Sequence, residues 1–435
     1  MTGRISSTGL LVAAGVALEL AFLSLYGAPA GAGAVLWMIG VNAAAYILLA
    51  LALWLLRKGE PLPARGSLIV LLFGVLFRLS LVPHGVVGSD DIYRYLWDGR
   101  VGAAGINPYA YAPTDPRLAA LATADLPSKV NHPELQSVYP ALAQGLFLLS
   151  HSLFGDSVAG MKLLLVLADC LTMVLLWRLL ASPPVALLLY AWSPLPVLYF
   201  GLDGHIDALA IFFLVLALGL FIGEKPLRGA AALGAGALAK LVPLIVVPLL
   251  LRSLGGARRV LVPCVALLVV LAGGFVYYEP TWGVVRSLST FGSHWEFNGS
   301  VFSIFYFLTG SNETAHIISG ALIAGLVGAL AIVDRPLTEK LFWGFVGFVL
   351  LSPVVHPWYL TWLAALLVLR WSTGVFLFLG MSCVANVVVY QYQAFGAWND
   401  QPLLLLIEYV PPLVLLAREL LRGEILAPPG RRAGA

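Results

Sequence analysis

Long apolar runs, separated by short connections that hold most of the charge, constrain this chain more than any other feature. About 20 apolar residues suffice to cross the hydrocarbon of a bilayer. Runs of that kind fall at 8–26, 33–56, 67–82, 161–180, 184–200, 206–222, 260–278, 314–333, 340–355, 357–370, 373–391 and 402–420. Only 11% of the 435 residues are charged and 60% are hydrophobic, against about 25% charged in a soluble domain. Inside lipid the backbone must satisfy its own hydrogen bonds, and unbroken apolar runs do so as helices. The expectation is an all-α polytopic transmembrane helical bundle of about 12–14 spans. It forms one domain over 1–435, because no polar stretch is long enough to bury a core of its own. The longest connection runs from about Val82 to Ser137, and residues 83–140 read as a first large loop.

The basic residues orient the spans. Lys and Arg gather in cytoplasmic loops, which assigns Arg4, Arg57, Lys58, Arg65, Arg178, Lys225, Arg228, Arg252, Arg258, Arg259, Arg335, Lys340, Arg370, Arg418, Arg422, Arg431 and Arg432 to that side, with both termini. The spans then alternate along the whole chain if segment 229–251 enters and leaves on the same face. It carries Lys240 and Pro243 at its centre. It reads as a hairpin of two half-helices with Lys240 near the tip, and irregular backbone at depth is tolerated around a cavity. Ala141–Phe154 and Ser300–Leu308 are too short to span and read as helices lying on the outer side. The segment from Thr8 to Tyr26 lacks a convincing cleavage site and reads as a first span.

With that orientation the polar residues collect on the outer face. The first loop holds His84, Asp90, Asp91, Arg94, Asp98, Arg100, His132 and Tyr139. The next outer turn holds Asp203, His205 and Asp207. A third loop holds His294, Trp295, Glu296 and Asn298, a fourth His356, Trp358 and Tyr359, and a fifth Gln391, Trp398 and Asp400. At helical spacing Asp91, Tyr95 and Asp98 share one face, as in a juxtamembrane amphipathic helix. Adjacent carboxylates at a membrane boundary are costly and need a use. The histidines show no metal-ligand spacing, and no metal or other cofactor is expected. Cys170, Cys264 and Cys383 sit in apolar segments and read as small buried hydrophobes.

The run Ser89-Asp90-Asp91-Ile92-Tyr93-Arg94-Tyr95, with Gly105-Ile106-Asn107-Pro108-Tyr109 after it and Tyr139-Pro140 before an apolar helix, resembles the GT-C glycosyltransferases. It is most similar to the bacterial polyprenol-phosphate-mannose-dependent mannosyltransferases, and more distantly to the first mannosyltransferase of GPI-anchor synthesis. That resemblance implies a GT-C bundle with an active site on the extracytoplasmic face of a bacterial plasma membrane. A hexose, mannose first, passes from a polyprenyl-phosphate-sugar lipid to a hydroxyl of a glycan, glycolipid or protein acceptor. Nucleic acid is not an expected partner.

Such a transfer needs a base near the acceptor hydroxyl, and Asp91 is the first choice with Asp90 second. The departing lipid phosphate needs cations, for which Lys240, Arg94, Arg100 and His356 are candidates. Lys240, alone in an apolar run, is the sharpest of these, with a snorkelling lysine as its alternative; Arg94 and Arg100 can equally neutralise nearby carboxylates, and His356 with its aromatic neighbours can equally be an interfacial belt. One catalytic carboxylate implies inversion. Asp203 or Asp207 is the candidate second carboxylate that retention requires. Asp203, His205, Asp207, His132, Tyr139, His294, Trp295, Glu296, Asn298, Trp358 and Tyr359 are candidate substrate contacts. The alternative is a transporter or lipid-linked-sugar flippase. It fits less well, because no internal repeat stands out and the polar groups crowd one rim instead of the midplane.

Overall fold

A computed structural model describes residues 6–58, 62–63, 65–179, 184–279, 282–399 and 401–423. Arg4, Asp400, Arg431 and Arg432 lie outside the described residues. The protein is 75% helical, with no strand among the described residues. Among the described residues, seven helices are long and apolar enough to cross a membrane: Ser7–Gly27, Ala32–Lys58, Val158–Leu179, Val185–Leu202, Arg258–Val276, Asn312–Ile332 and Thr373–Phe395. Five shorter apolar helices accompany them, among them Gly66–Leu79, Ala141–Phe154, Asp207–Ile222 and Ser300–Thr309. In Arg258–Val276 and Asn312–Ile332 only 11% of the most apolar stretch is buried within the protein. Leu267, Leu268, Leu271 and Phe275 are among the apolar side chains left open. Apolar surface on that scale needs a lipid solvent.

The chain forms two compact units, each made of several segments. The first comprises Met1–Gly88, Asp169–Leu202 and Val355–Ala435. Its core joins Phe22, Phe73, Phe77 and Trp192, with ring centroids 5.3 Å apart for Phe22–Phe77 and 5.7 Å for Phe77–Trp192. Beside this cluster the fully buried Arg78 donates to Asp169, to Gly74 O at 2.9 Å and to Ala191 O at 2.7 Å. Tyr190 donates to the same carboxylate at 2.6 Å. The helix from Thr373 starts where it does because its free N–H groups find acceptors. Ser372 Oγ takes the Val375 N–H, and Glu419 takes the Thr373 N–H at 2.6 Å and the Ser372 hydroxyl at 2.6 Å.

The second unit comprises Ser89–Ala168 and Asp203–Val354. Its helix Asp91–Ala103 packs on Ala141–Phe154. Gly99 permits this, since a Cβ there would stand 2.4 Å from Phe147 O. Tyr95 stacks flat on Phe147, centroids 4.6 Å apart. The helix is therefore largely buried against protein; Ile92, Tyr95, Leu96, Trp97, Asp98 and Val101 are all covered. The short helix Ala141–Phe154 has the expected bounds, and Ser300–Thr309 ends one residue beyond its expected limit. Pro226–Ala239 packs between Asp207–Ile222 and Arg258–Val276. It stops at Lys240, whose backbone is extended at φ −157°, ψ 136°. Pro243 has no N–H to return to residue 239, so a helix cannot run through this point. The chain resumes as Val242–Ile245 and Val246–Leu250, which is the expected break at Lys240.

Candidate active site

Two elements of the second unit converge on one cluster of charge. Asp91 opens the helix Asp91–Ala103, with Asp90 at its N-cap. The partial positive charge of a helix N-terminus favours an anion here. The turn Asp203-Gly204-His205 delivers the other half. It follows a wide π-helical turn over Val197–Leu202, a form that recurs at functional sites. Gly204 has φ +74°, and a Cβ would stand 2.7 Å from Ile92 Cδ1 and 3.0 Å from Lys162 Cγ. The turn is wedged between the Asp91 helix and Lys162, and only glycine fits there.

His205, 1% exposed, brings Nδ1 within 3.5 Å of Asp91 Oδ2. Asp91 keeps 29% of its side chain open, so a solvent-borne group can reach it. Asp90 is exposed as a residue, yet many protein atoms crowd it at longer range. That crowding first, then the Asp91 carboxylate, push its carboxyl up to about 6. His205 works against the rise and Asp203 adds to it. Four carboxylates, Asp90, Asp91, Asp203 and Asp207, thus gather in one cluster, and two lysines balance part of their charge. Lys240 Nζ donates to both oxygens of the buried Asp207 at 2.8 Å each. Lys162, buried at the start of Val158–Leu179, interacts electrostatically with Asp203. Tyr95 links the parts. Its hydroxyl accepts from the Ile206 N–H at 3.5 Å and lies in the field of both Asp91 and Asp207. Burial first, then Tyr139 and these carboxylates, hold that hydroxyl well above its ordinary range. Tyr139 meets Tyr95 edge-on at 4.9 Å.

The remaining candidates lie elsewhere. Arg94 is buried and donates to Leu135 O and His132 O at 2.9–3.0 Å, so it ties the 132–135 loop to the Asp91 helix. Arg100 pairs with Asp156 at 2.6 Å. Asp98 is buried and accepts from Ser137 at 2.5 Å and Gln144 at 2.9 Å. Burial raises its carboxyl despite the opposing Arg94, Ser137 and Gln144. A second grouping sets His132 edge-on to Trp295, centroids 4.7 Å apart. Glu296 next to it accepts from Asn312 at 2.9 Å. His294 is exposed and meets its own Ser293 hydroxyl at 2.7 Å, and Asn298 is buried with φ +54° in a bridge to Val354. His356, Trp358 and Tyr359 belong to the first unit, where the His356 and Trp358 rings stack at 4.1 Å.

Sequence reasoning missed Lys162. It sits one residue inside an apolar run, the same signal that singled out Lys240, but near the end of a run a lysine reads as a boundary. It also gave Tyr95 no role beyond its place on a helix face.

The cluster offers a solvent-reachable carboxylate beside a buried imidazole, with an ammonium group set on its own counter-carboxylate. That combination accepts a proton and stabilises a departing anion. No curated protein and no solved structure matches the chain. One family model does, described as alpha-(1->6)-mannopyranosyltransferase, N-terminal domain, over residues 5–254. This span is more than half of the chain and includes Asp90, Asp91, Lys162, Asp203, His205, Asp207 and Lys240, so the chain belongs to that family of mannosyltransferases.

Proposed function

We propose that this membrane mannosyltransferase takes its mannosyl group from a polyprenyl-phosphate-mannose lipid. It passes the group to a hydroxyl acceptor on the outer face by a single inverting displacement. The acceptor oxygen attacks the anomeric carbon as its proton moves to Asp91. The bond from that carbon to the phosphate oxygen breaks, and the lipid phosphate leaves as an anion. The observation that carries this reading is Asp91 itself, a partly open carboxylate whose Oδ2 lies 3.5 Å from the buried His205 Nδ1. His205 lies beside the carboxylate and can share its proton. The neighbouring Asp90 is the second choice of base, because its carboxyl is raised to about 6 and holds a proton more tightly than an ordinary aspartate. Lys240 is the cation proposed for the leaving phosphate: it is 23% exposed and held on Asp207. Asp203 and Asp207 are buried and face lysines, which suits counter-charges better than the nucleophile of a double displacement.

Inversion with an alpha-linked product requires a donor whose mannose is β-linked to phosphate. The test is transfer from a panel of polyprenyl-phosphate sugars of both anomers, in membranes holding the wild-type or the Asp91→Asn chain. Transfer from the β-mannosyl lipid by the wild type and its loss in Asp91→Asn are expected. Full activity of Asp91→Asn, or use of the α-anomer, refutes the assignment.

A further inference from the structure

A cleft of about 360 Å³ opens in the second unit, within the range of roughly 300–1,000 Å³ typical of small-molecule sites. Its lining comes from residues 110–117, 134–136 and 286–290. One wall is built by Tyr111, Asp115 and Arg117. Arg117 lies over the Tyr111 ring, 3.9 Å from its centroid, and grips Asp115 through two hydrogen bonds of 2.9 Å and 2.6 Å. The facing groups are Glu134, Gln136 and Arg286, with Arg286 donating to Gln136 Oε1 at 3.4 Å. Gln136 is itself fixed by its amide to Ala110 O at 3.1 Å.

We propose that this cleft binds the sugar chain of a neutral oligosaccharide acceptor, away from the hydroxyl that reacts. The inference rests on the proposed reaction for its acceptor side. Charge selects the ligand class. Two carboxylates and two guanidinium groups line the cleft, so an anion meets repulsion as well as attraction. An apolar ligand would strip water from all four groups. A polyhydroxylated ring offers donors to Glu134 and Asp115 and acceptors to Arg117, Arg286 and Gln136. Planar forked groups match vicinal hydroxyls as they match carboxylates. Position supports the assignment: Leu135 lines the cleft, and its carbonyl receives two hydrogen bonds from Arg94, one turn along the helix that begins at Asp91.

The experiment is calorimetric titration of the full chain in detergent micelles with α-(1→6)-linked mannotriose, using maltotriose as control. Arg286→Ala and Glu134→Gln are compared with wild type, and thermal unfolding checks their folding. Mannotriose binding by the wild type is expected, with affinity lowered roughly tenfold or more in each variant, as for loss of a hydrogen bond to a charged group. Arg286→Lys retains part of the affinity. In transfer assays both variants raise KM for mannotriose and leave kcat near the wild-type value. Asp91→Asn binds mannotriose like the wild type, so failure of the donor or base assignment leaves this result untouched. Equal affinity in wild type and both variants, or no wild-type binding at millimolar ligand while transfer proceeds, overturns the cleft.

Discussion

Lys240 and Asp207 provide the sharpest energetic test. Asp207 is 1% exposed and meets Lys240 Nζ through both oxygens at 2.8 Å, while Lys240 keeps 23% of its side chain open. Removing one partner of a buried ion pair leaves an uncompensated charge, at a cost of about 3–5 kcal/mol. Lys240→Met strands the dry carboxylate and belongs at that level. Asp207→Asn strands an ammonium group that water already reaches, so the expected loss is smaller, about 1–2 kcal/mol. The double variant Asp207→Asn/Lys240→Met removes both charges and regains most of the loss; if it ends about 1 kcal/mol below the wild type, the coupling energy is about 3–6 kcal/mol. Equilibrium unfolding in mixed micelles, followed by tryptophan fluorescence, measures all four corners of the cycle. Additive single effects, with coupling below about 0.5 kcal/mol, refute the argument. Activity separates the chemical role from the structural one: the double variant regains stability yet remains impaired in donor use. Recovery of activity along with stability would remove Lys240 from the phosphate.

Three further outcomes are expected. Gly204→Ala meets Ile92 and Lys162 at 2.7–3.0 Å and holds a left-handed backbone. It destabilises by about 1–3 kcal/mol and lowers transfer sharply; wild-type turnover would count against the wedged turn. Asp90 ionises at about 6 in the folded chain against an ordinary 3.8, so its stability contribution is complete below the ordinary value and is lost as pH rises through 6. Asp90→Asn therefore raises the unfolding temperature at pH 8, and the gain closes as pH falls towards about 4; a gain that grows on acidification reverses the sign. For sidedness, a cysteine at Thr114 should react with an impermeant reagent and one at Gly256 should not, and the opposite pattern inverts the membrane orientation.

The helices were legible because apolar runs force them. Ala141–Phe154 follows Pro140 as expected, and Pro243 marks the break at Lys240. The span expected over 184–200 is present as Val185–Leu202, but its last turn, Val197–Leu202, widens to a π-helical form after the Ser193-Pro194 step. Composition carries no signal for that widening. Pairing was less legible than position. Asp207 and Lys240 were both named, yet nothing in a chain separation of 33 residues says that they meet. Arg94 and Arg100 stand one turn and two turns or more beyond Asp91 and were candidates for the lipid phosphate, or for neutralising Asp90, Asp91 and Asp98. Arg94 donates to loop carbonyls while acting on Asp98 at longer range, and Arg100 pairs with Asp156, because helical spacing gives a face and not a partner.

The Arg78–Asp169 pair bears on how the protein is made. The partners are 91 residues apart, so synthesis places the arginine well before its counter-ion exists. At about 5–20 residues per second, the wait is on the order of 5–20 s. A lone guanidinium is costly in hydrocarbon, and Arg78 stands in the last turn of the apolar helix Gly66–Leu79. Its final site, fully enclosed between Gly74 O, Ala191 O and Asp169, exists only after residue 191 has been inserted. The full set of Arg78 partners therefore becomes available only once the chain has been made through residue 191.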